Sequence, residues 1–125
     1  LKDWGCADLT GRRFGEISSG EQFKVMLCRA LINDPALLIL DEPFSSLDVG
    51  ARVKAYQMLT QVAQGTRPPQ IILVTHHFED IIPVFTHGLF LRQGKIIKRG
   101  RKKLIFSPAV LDQVFGVKSV RLNEF

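Results

Sequence analysis

The feature that most constrains the fold is an apolar run that ends on two adjacent carboxylates. Residues 36–40 read Ala-Leu-Leu-Ile-Leu and are followed at once by Asp41 and Glu42. An apolar run without alternation is typical of a strand covered on both faces, as in a parallel sheet. Ligands of open α/β sheets bind at the carboxyl ends of the strands, where paired carboxylates suit a hard cation and an attacking water. Asp41 and Glu42 are therefore candidates for phosphoryl-transfer chemistry.

A second apolar run, residues 70–75, lies one helix further along the chain. Residues 49–64 have an apolar stripe of helical spacing, and Ser45 or Ser46 is predicted to cap this helix. The stripe consists of Val49, Val53, Tyr56, Leu59, Val62 and Ala63. A strand, a helix and a strand of these lengths predict one βαβ unit. The parallel strands then bring His76, which follows the second run, to the same sheet edge as the two carboxylates.

A further helix is predicted ahead of the first strand. Ser18 and Glu21 have the spacing of a capping box, which places the start of the helix just after Ser18. Apolar residues then recur on one helical face, at Phe23, Leu27, Ala30 and Leu31. The sequence Asn-Asp-Pro at residues 33–35 ends the helix.

Four motifs, taken in this order, resemble those of the ATP-binding-cassette (ABC) ATPases. Residues 17–21 resemble the signature motif, residues 37–42 the Walker B strand, residues 46–48 the D-loop, and Thr75-His76 the switch histidine. Each motif alone is common, but their joint order and spacing are specific. The resemblance implies an α/β fold: a partial P-loop NTPase (RecA-like) core with a mostly parallel sheet, plus part of the ABC helical subdomain.

The same resemblance implies roles in binding and hydrolysing ATP with Mg²⁺. Asp41 would hold the metal, Glu42 would act as general base on the attacking water, and His76 would contact the γ-phosphate. The signature would bind nucleotide held by a second, head-to-tail copy of the ATPase, and its residues are Ser18, Ser19, Gly20 and Glu21. In the D-loop, formed by Ser46, Leu47 and Asp48, the aspartate would link the two sites across the dimer. Small side chains at a helix N-terminus suit phosphate oxygens.

The sequence departs from the family pattern at three positions and by one absence. Ser19 stands where glycine is usual, Glu21 where glutamine is usual and Lys24 where arginine is frequent, and the glutamate adds negative charge near a phosphate. No G-x-x-x-x-G-K-[ST] phosphate loop occurs in the sequence. The chain therefore resembles the C-terminal half of the domain, with residues 1–33 ending the helical subdomain and residues 34–125 in the ATPase core. We expect it to be inactive alone and to need an N-terminal half carrying Walker A as a partner.

The C-terminal part of the chain is basic and is predicted to begin with a hairpin. Residues 87–92 and 95–99 read as its strands, residues 108–115 as a helix, and residues 117–125 as a further strand. Residues 91–125 carry nine Lys or Arg against two acidic residues, a net charge of +7.

Several functions remain compatible with these motifs. Residues 76–80, 94–95 and 114–117 resemble ATPases of metal-chelate, iron or molybdate-type transporters, which work with transmembrane subunits. The alternative is a nucleic-acid-associated ABC ATPase that uses the basic residues 98–103, although a solvated flank of the hairpin is the simpler explanation of that cluster. A non-catalytic interaction fragment is the third possibility.

Composition and single residues add a few limits. The chain is 46% hydrophobic and 23% charged, as is ordinary for a globular protein, and no apolar stretch approaches the roughly 18 residues that span a bilayer. We expect a cytoplasmic protein, held at the inner face of the cell membrane when it serves a transporter. Cys6 and Cys28 lack the spacing of metal ligands and are expected to be two reduced thiols, with Cys28 on the buried face of its helix. His77 is expected to be an exposed neighbour of His76 and not a metal ligand.

Overall fold

The computed structural model describes residues 4–116, which form two compact units, one ending at Ile82 and one beginning at Pro83. The first unit comprises α1 (Ser19–Leu31), β1 (Leu37–Asp41), α2 (Val49–Ala63) and β2 (Gln70–Val74). The second comprises β3 (His87–Arg92), β4 (Lys95–Arg101), α3 (Lys102–Ile105) and α4 (Pro108–Phe115). Single turns of 3-10 helix lie at Ala7–Leu9, Phe14–Glu16 and Phe78–Asp80. The strand predicted over residues 117–125 lies outside the described residues.

Helix α1 begins and ends where the sequence predicts. Ser18 is its N-cap, and the reciprocal hydrogen bonds between Ser18 and Glu21 form the predicted capping box. Leu27 and Leu31, four residues apart on one face, are buried. Asp34 follows in a left-handed conformation with φ of 45°, which turns the chain toward β1.

Strands β1 and β2 pair in parallel, with Leu37 opposite Gln70 and Asp41 opposite Val74. The predicted βαβ unit is thereby confirmed. The prediction that this sheet is covered on both faces is wrong for the described residues, since Leu38 is 4% exposed whereas Ile39 is 60% exposed. Side chains alternate between the two faces of a strand, and only one face of this two-stranded sheet is covered within residues 4–116.

Helix α2 differs from the prediction in its cap and in its buried face. Asp48, and neither Ser45 nor Ser46, is the N-cap, because its carboxylate accepts a hydrogen bond from the amide of Ala51 at 2.8 Å. The buried residues are Ala55, Met58 and Leu59, while Val49 and Val53 of the predicted stripe are exposed. Each residue advances about 100° around a helix, so Val53 points away from the face that Ala55 and Leu59 bury.

The second unit contains the predicted hairpin. Strands β3 and β4 pair antiparallel, and Gln93 and Gly94 connect them with φ of 50° and 72°, as a type I′ turn requires. The ring of Phe90 packs against Phe106 and Phe115, at centroid distances of 5.1 and 5.7 Å. Helix α4 has the predicted bounds and ends at Gly116 in a left-handed conformation.

Candidate functional site

The tips of β1 and β2 bring Glu42 and His76 into direct contact. The Glu42 amide donates a hydrogen bond to the carbonyl of Val74 at 2.9 Å, which ties the end of one strand to the other. Glu42 Oε1 then lies 2.7 Å from the ring Nδ1 of His76 and accepts a hydrogen bond from its amide at 3.1 Å. The sequence-predicted convergence of these two residues is confirmed.

Glu42 is held in an unusual environment. Its φ of 45° is uncommon for a residue with a side chain, and such strain clusters at functional positions. Its second oxygen, Oε2, is buried and has no hydrogen-bond partner among residues 4–116. Asp41, one residue earlier, is exposed at the strand end. Asp41 is thus open to solvent, whereas Glu42 has one hydrogen-bonded oxygen and one oxygen without a partner in the described part of the chain.

A buried carboxylate that no local sequence pattern indicates fixes the segment that carries His76. Asp80 is 1% exposed and accepts hydrogen bonds from the hydroxyls of Tyr56 at 2.8 Å and Thr75 at 2.7 Å. Thr75 Oγ1 in turn accepts a hydrogen bond from the His77 amide at 3.0 Å. Burial, followed by the hydrogen bond to Asp80, raises the pKa of Tyr56 to about 12. The two hydroxyls therefore anchor the residues on both sides of His76.

Arg52 is a second residue without a predicted role. Its Nη1 lies 3.4 Å from Glu79 Oε1, and its Nη2 donates to the carbonyl of Phe44 at 3.4 Å. Phe44 is fully buried, with its ring against those of Phe23 and Tyr56. Arg52 thereby connects the loop after β1 to the segment after β2. The one sequence signal for this connection is the position of Arg52, one turn into α2 and close to both loops.

The N-terminus of α1 carries the predicted signature residues. Glu21 Oε2 accepts hydrogen bonds from the amide and hydroxyl of Ser18, both at 2.8 Å, and these two contacts lower the pKa of Glu21. The amides of Ser19 and Gly20 belong to the first turn and have no carbonyl to bind within the helix. A Cβ on Gly20 would lie 2.9 Å from the Cβ of Ala51. Glycine is therefore required where α1 approaches α2.

An open cleft of about 330 Å³ joins three of the predicted motifs. Its lining includes Ser19 of the signature, Asp41 of the strand tip and Ser46 of the predicted D-loop. Leu47 is buried beside it, which fixes the loop. The larger cleft of the first unit, about 630 Å³, is lined by residues such as Trp4 and Arg67 and contains none of the predicted site residues.

His77 differs from the prediction, because it is half-buried and its Nδ1 lies 3.3 Å from Glu79 Oε1. Ligand atoms of Glu42, His76 and His77 all lie within 4.8 Å of one another. Two imidazoles and a carboxylate are a donor set that suits Zn²⁺. The basic residues Lys98 and Arg99 lie in the second unit, where both are exposed.

No helix within residues 4–116 is long and apolar enough to cross a membrane. The sequence model of the ABC transporter family matches residues 1–45. The chain is 40% identical over 115 residues to the uncharacterised ABC transporter ATP-binding protein YlmA of Bacillus subtilis, covering 92% of this chain and 44% of YlmA. It is 36% identical over 125 residues to the corresponding protein YmeB of Lactococcus lactis, covering all of this chain and 48% of YmeB.

The fold is similar to that of a solved structure described as an inward-facing ABC transporter of metal-chelate type. The TM-score is 0.78 at 24% identity, over 89% of this chain and 44% of that one. The chain spans about half the length of the curated relatives that it matches. Its order of motifs, its βαβ unit and these similarities agree, and the chain resembles part of an ABC transporter ATP-binding protein.

Proposed function

We propose that the protein is the ATPase subunit of an ABC transporter, which binds and hydrolyses ATP and thereby drives solute transport through membrane-embedded partner subunits. The observation that carries the proposal is the state of Glu42, one of whose oxygens has hydrogen-bond partners while the other has none within residues 4–116. Oε1 is engaged by His76, while Oε2 is buried and unpartnered. A general base needs one oxygen that orients the group and one that accepts the proton.

Glu42 would take a proton from the attacking water at Oε2. The hydrogen bonds at Oε1 fix the direction in which the carboxylate points, and this positioning is the larger part of catalysis in phosphoryl transfer. The left-handed backbone of Glu42 aims the carboxylate at the tip of β2.

His76 would bind a phosphate oxygen through Nε2. Its side chain is 72% exposed, so this atom is accessible while Nδ1 faces Glu42. An ionised carboxylate only accepts hydrogen bonds, so Nδ1 must be the protonated atom of that pair. A phosphate oxygen is also an acceptor, and Nε2 therefore contacts it only when the ring carries both protons.

Asp41 would hold Mg²⁺, because an exposed carboxylate at the strand end offers the hard oxygen donor that this cation prefers. Mg²⁺, when bound, neutralises charge on the phosphate oxygens of ATP. The chain contains no phosphate-loop motif, so we further propose that residues 1–125 do not hydrolyse ATP alone and act with an N-terminal half that supplies Walker A.

The signature and D-loop would complete the site of a second copy. In this proposal Ser18, Ser19, Gly20 and Glu21 face the nucleotide of the partner ATPase, and Ser46, Leu47 and Asp48 lie at the same interface. The open cleft shared by Ser19, Asp41 and Ser46 supports this arrangement. Residues 1–33 then belong to the helical subdomain and residues 34–125 to the ATPase core.

The test is Glu42→Gln in the full-length protein, measured by ATP binding and by steady-state hydrolysis. The amide keeps the hydrogen bond with the His76 amide but cannot accept a proton as a base, so we expect ATP binding to be retained and kcat to fall by about 10²-fold or more. Glu79→Gln is the matched control, since Glu79 contacts Arg52 and His77 instead, and its kcat should stay close to wild type. Unchanged hydrolysis by Glu42→Gln would refute the assignment.

A further inference from the structure

The two cysteines of the chain lie side by side although 22 positions separate them. Cys6 Sγ is 3.3 Å from Cys28 Sγ, within hydrogen-bonding distance, and both residues are half-buried and not joined by a disulfide. A disulfide requires sulfurs about 2.05 Å apart, a distance that small rotations of the two side chains could supply. The sequence predicts two reduced thiols without the spacing of metal ligands, and the contact between them arises from the fold.

The segment that carries Cys6 is held in place by a second contact. The indole N–H of Trp4 donates to Gln61 Oε1 at 2.9 Å, which fixes the chain two residues before Cys6. Cys28 lies in the last turns of α1. The sulfurs therefore belong to two anchored pieces of backbone, and their proximity does not depend on a freely moving terminus.

A lysine ammonium lies beside the pair. Lys24 is one turn before Cys28 on the same face of α1, and its Nζ is 3.6 Å from the position of a Cβ built on Gly5, the neighbour of Cys6. A nearby cation favours the thiolate, which is the reactive form of cysteine. Both cysteine residues are also partly exposed.

We propose that Cys6 and Cys28 form a reversible redox site, which a small-molecule disulfide such as oxidised glutathione converts into an intramolecular disulfide. This bond would tether the N-terminal segment to α1, the helix that begins with the signature residues. The proposal is independent of the proposed function, because it concerns only these two thiols and their oxidant.

The chemistry proceeds in two exchange steps. The Cys6 thiolate attacks one sulfur of oxidised glutathione, which breaks the S–S bond, forms a mixed disulfide at Cys6 and releases one glutathione thiol. Cys28 then loses its proton to solvent and attacks Cys6 Sγ, which releases the second glutathione. The two protein thiols lose two electrons and two protons in total, and the oxidised glutathione is reduced to two thiols.

The order of attack follows from the environment of Cys28. Burial, followed by its hydrogen bond with Cys6, raises the pKa of Cys28 to about 11, against a smaller opposing effect of Lys24. Burial thus disfavours the Cys28 thiolate, and the first attack is therefore assigned to Cys6, with Cys28 acting in the second, resolving step. That step is intramolecular and is favoured by the contact already present between the sulfurs.

The experiment exposes the folded full-length protein to oxidised glutathione and maps the peptides that contain Cys6 and Cys28 by mass spectrometry. We expect these peptides to be linked to each other, with a loss of two hydrogen atoms and no retained glutathione. Cys28→Ser should keep glutathione as a stable adduct on Cys6, because no resolving thiol remains. Dithiothreitol should restore both thiols of the wild type.

A control in urea tests whether the fold is responsible. In the unfolded chain the sulfurs are no longer neighbours, so glutathione adducts on the separate peptides should increase at the expense of the link. Wild-type peptides that stay reduced, or that carry glutathione without a mutual link in the folded protein, would overturn the proposal. Linkage between two protein molecules instead of within one would overturn it as well.

Discussion

Replacing Tyr56 by Phe tests the buried network that positions His76. The substitution removes only the hydroxyl that donates to Asp80 Oδ1 at 2.8 Å. The ring is preserved, and with it the edge-to-face contact with Phe44 at a centroid distance of 5.0 Å. The measured effect therefore isolates one hydrogen bond to a carboxylate that is 1% exposed.

A hydrogen bond to a charged group contributes about 1.5–3 kcal/mol, and its loss leaves a buried acceptor short of one partner. Tyr56→Phe should lower the free energy of unfolding by this amount, which is a change of roughly 10- to 160-fold in the unfolding equilibrium. The cost should be much smaller in an Asp80→Asn background, because a neutral amide replaces the charged acceptor. A double-mutant cycle gives the coupling directly.

The burial of Tyr56, together with its hydrogen bond to Asp80, predicts a dependence on alkaline pH. The pKa of Tyr56 is raised to about 12 in the folded protein, whereas an unfolded tyrosine titrates near 10. A group with a raised folded pKa stabilises the protein fully below its unfolded pKa and loses this effect as the pH rises through the folded pKa. The advantage of wild type over Tyr56→Phe should therefore be constant up to about pH 10 and decrease between pH 10 and 12.

Urea-induced unfolding of the full-length protein and of the variants, followed at several pH values, measures both effects. Comparing wild type with Tyr56→Phe at each pH removes the contributions of all other groups that titrate in this range. A cost below about 0.5 kcal/mol, within the range of ordinary surface substitutions, would refute the role given to the hydroxyl. A difference that stays constant to pH 12 would refute the assigned pKa.

Two further predictions concern the start of α1. Gly20→Ala places a Cβ 2.9 Å from that of Ala51. We expect this overlap to lower the free energy of unfolding in urea by about 1–3 kcal/mol, offset in part by the higher helix propensity of alanine. Gly15→Ala, with open space around it, is the control, and equal stabilities of the two variants would contradict the packing argument. Glu21→Ala removes the capping box, whose contacts with Ser18 lower the pKa of Glu21. The stability difference from wild type should be full at neutral pH and shrink as the pH falls below about 4.3, the ordinary pKa of glutamate. A difference that persists unchanged at pH 3 would argue against this role of the Glu21 carboxylate.

Local patterns in the sequence determined the order and type of the main elements. The capping box at Ser18 and Glu21, the apolar runs at β1 and β2 and the turn at Gly94 each depend on residues close in the chain, so propensity and periodicity suffice to predict them. The meeting of Glu42 with His76 was also predictable, because parallel strands end at one edge. The roles of Asp41, His76 and the signature residues stay predictions.

Contacts between distant residues were decided only by the tertiary structure. The exposed face of the sheet, the cap at Asp48 and the buried face of α2 depend on which elements pack together, and local periodicity does not contain that information. No local sequence pattern indicates the role of Asp80, because its hydrogen-bond partner Tyr56 lies 24 positions earlier in the chain. Cys6 and Cys28 are likewise neighbours only in space. The sequence by itself thus determined the helices and strands and the sheet edge at which Glu42 and His76 meet. The tertiary structure decided which buried side chains hold that edge in place.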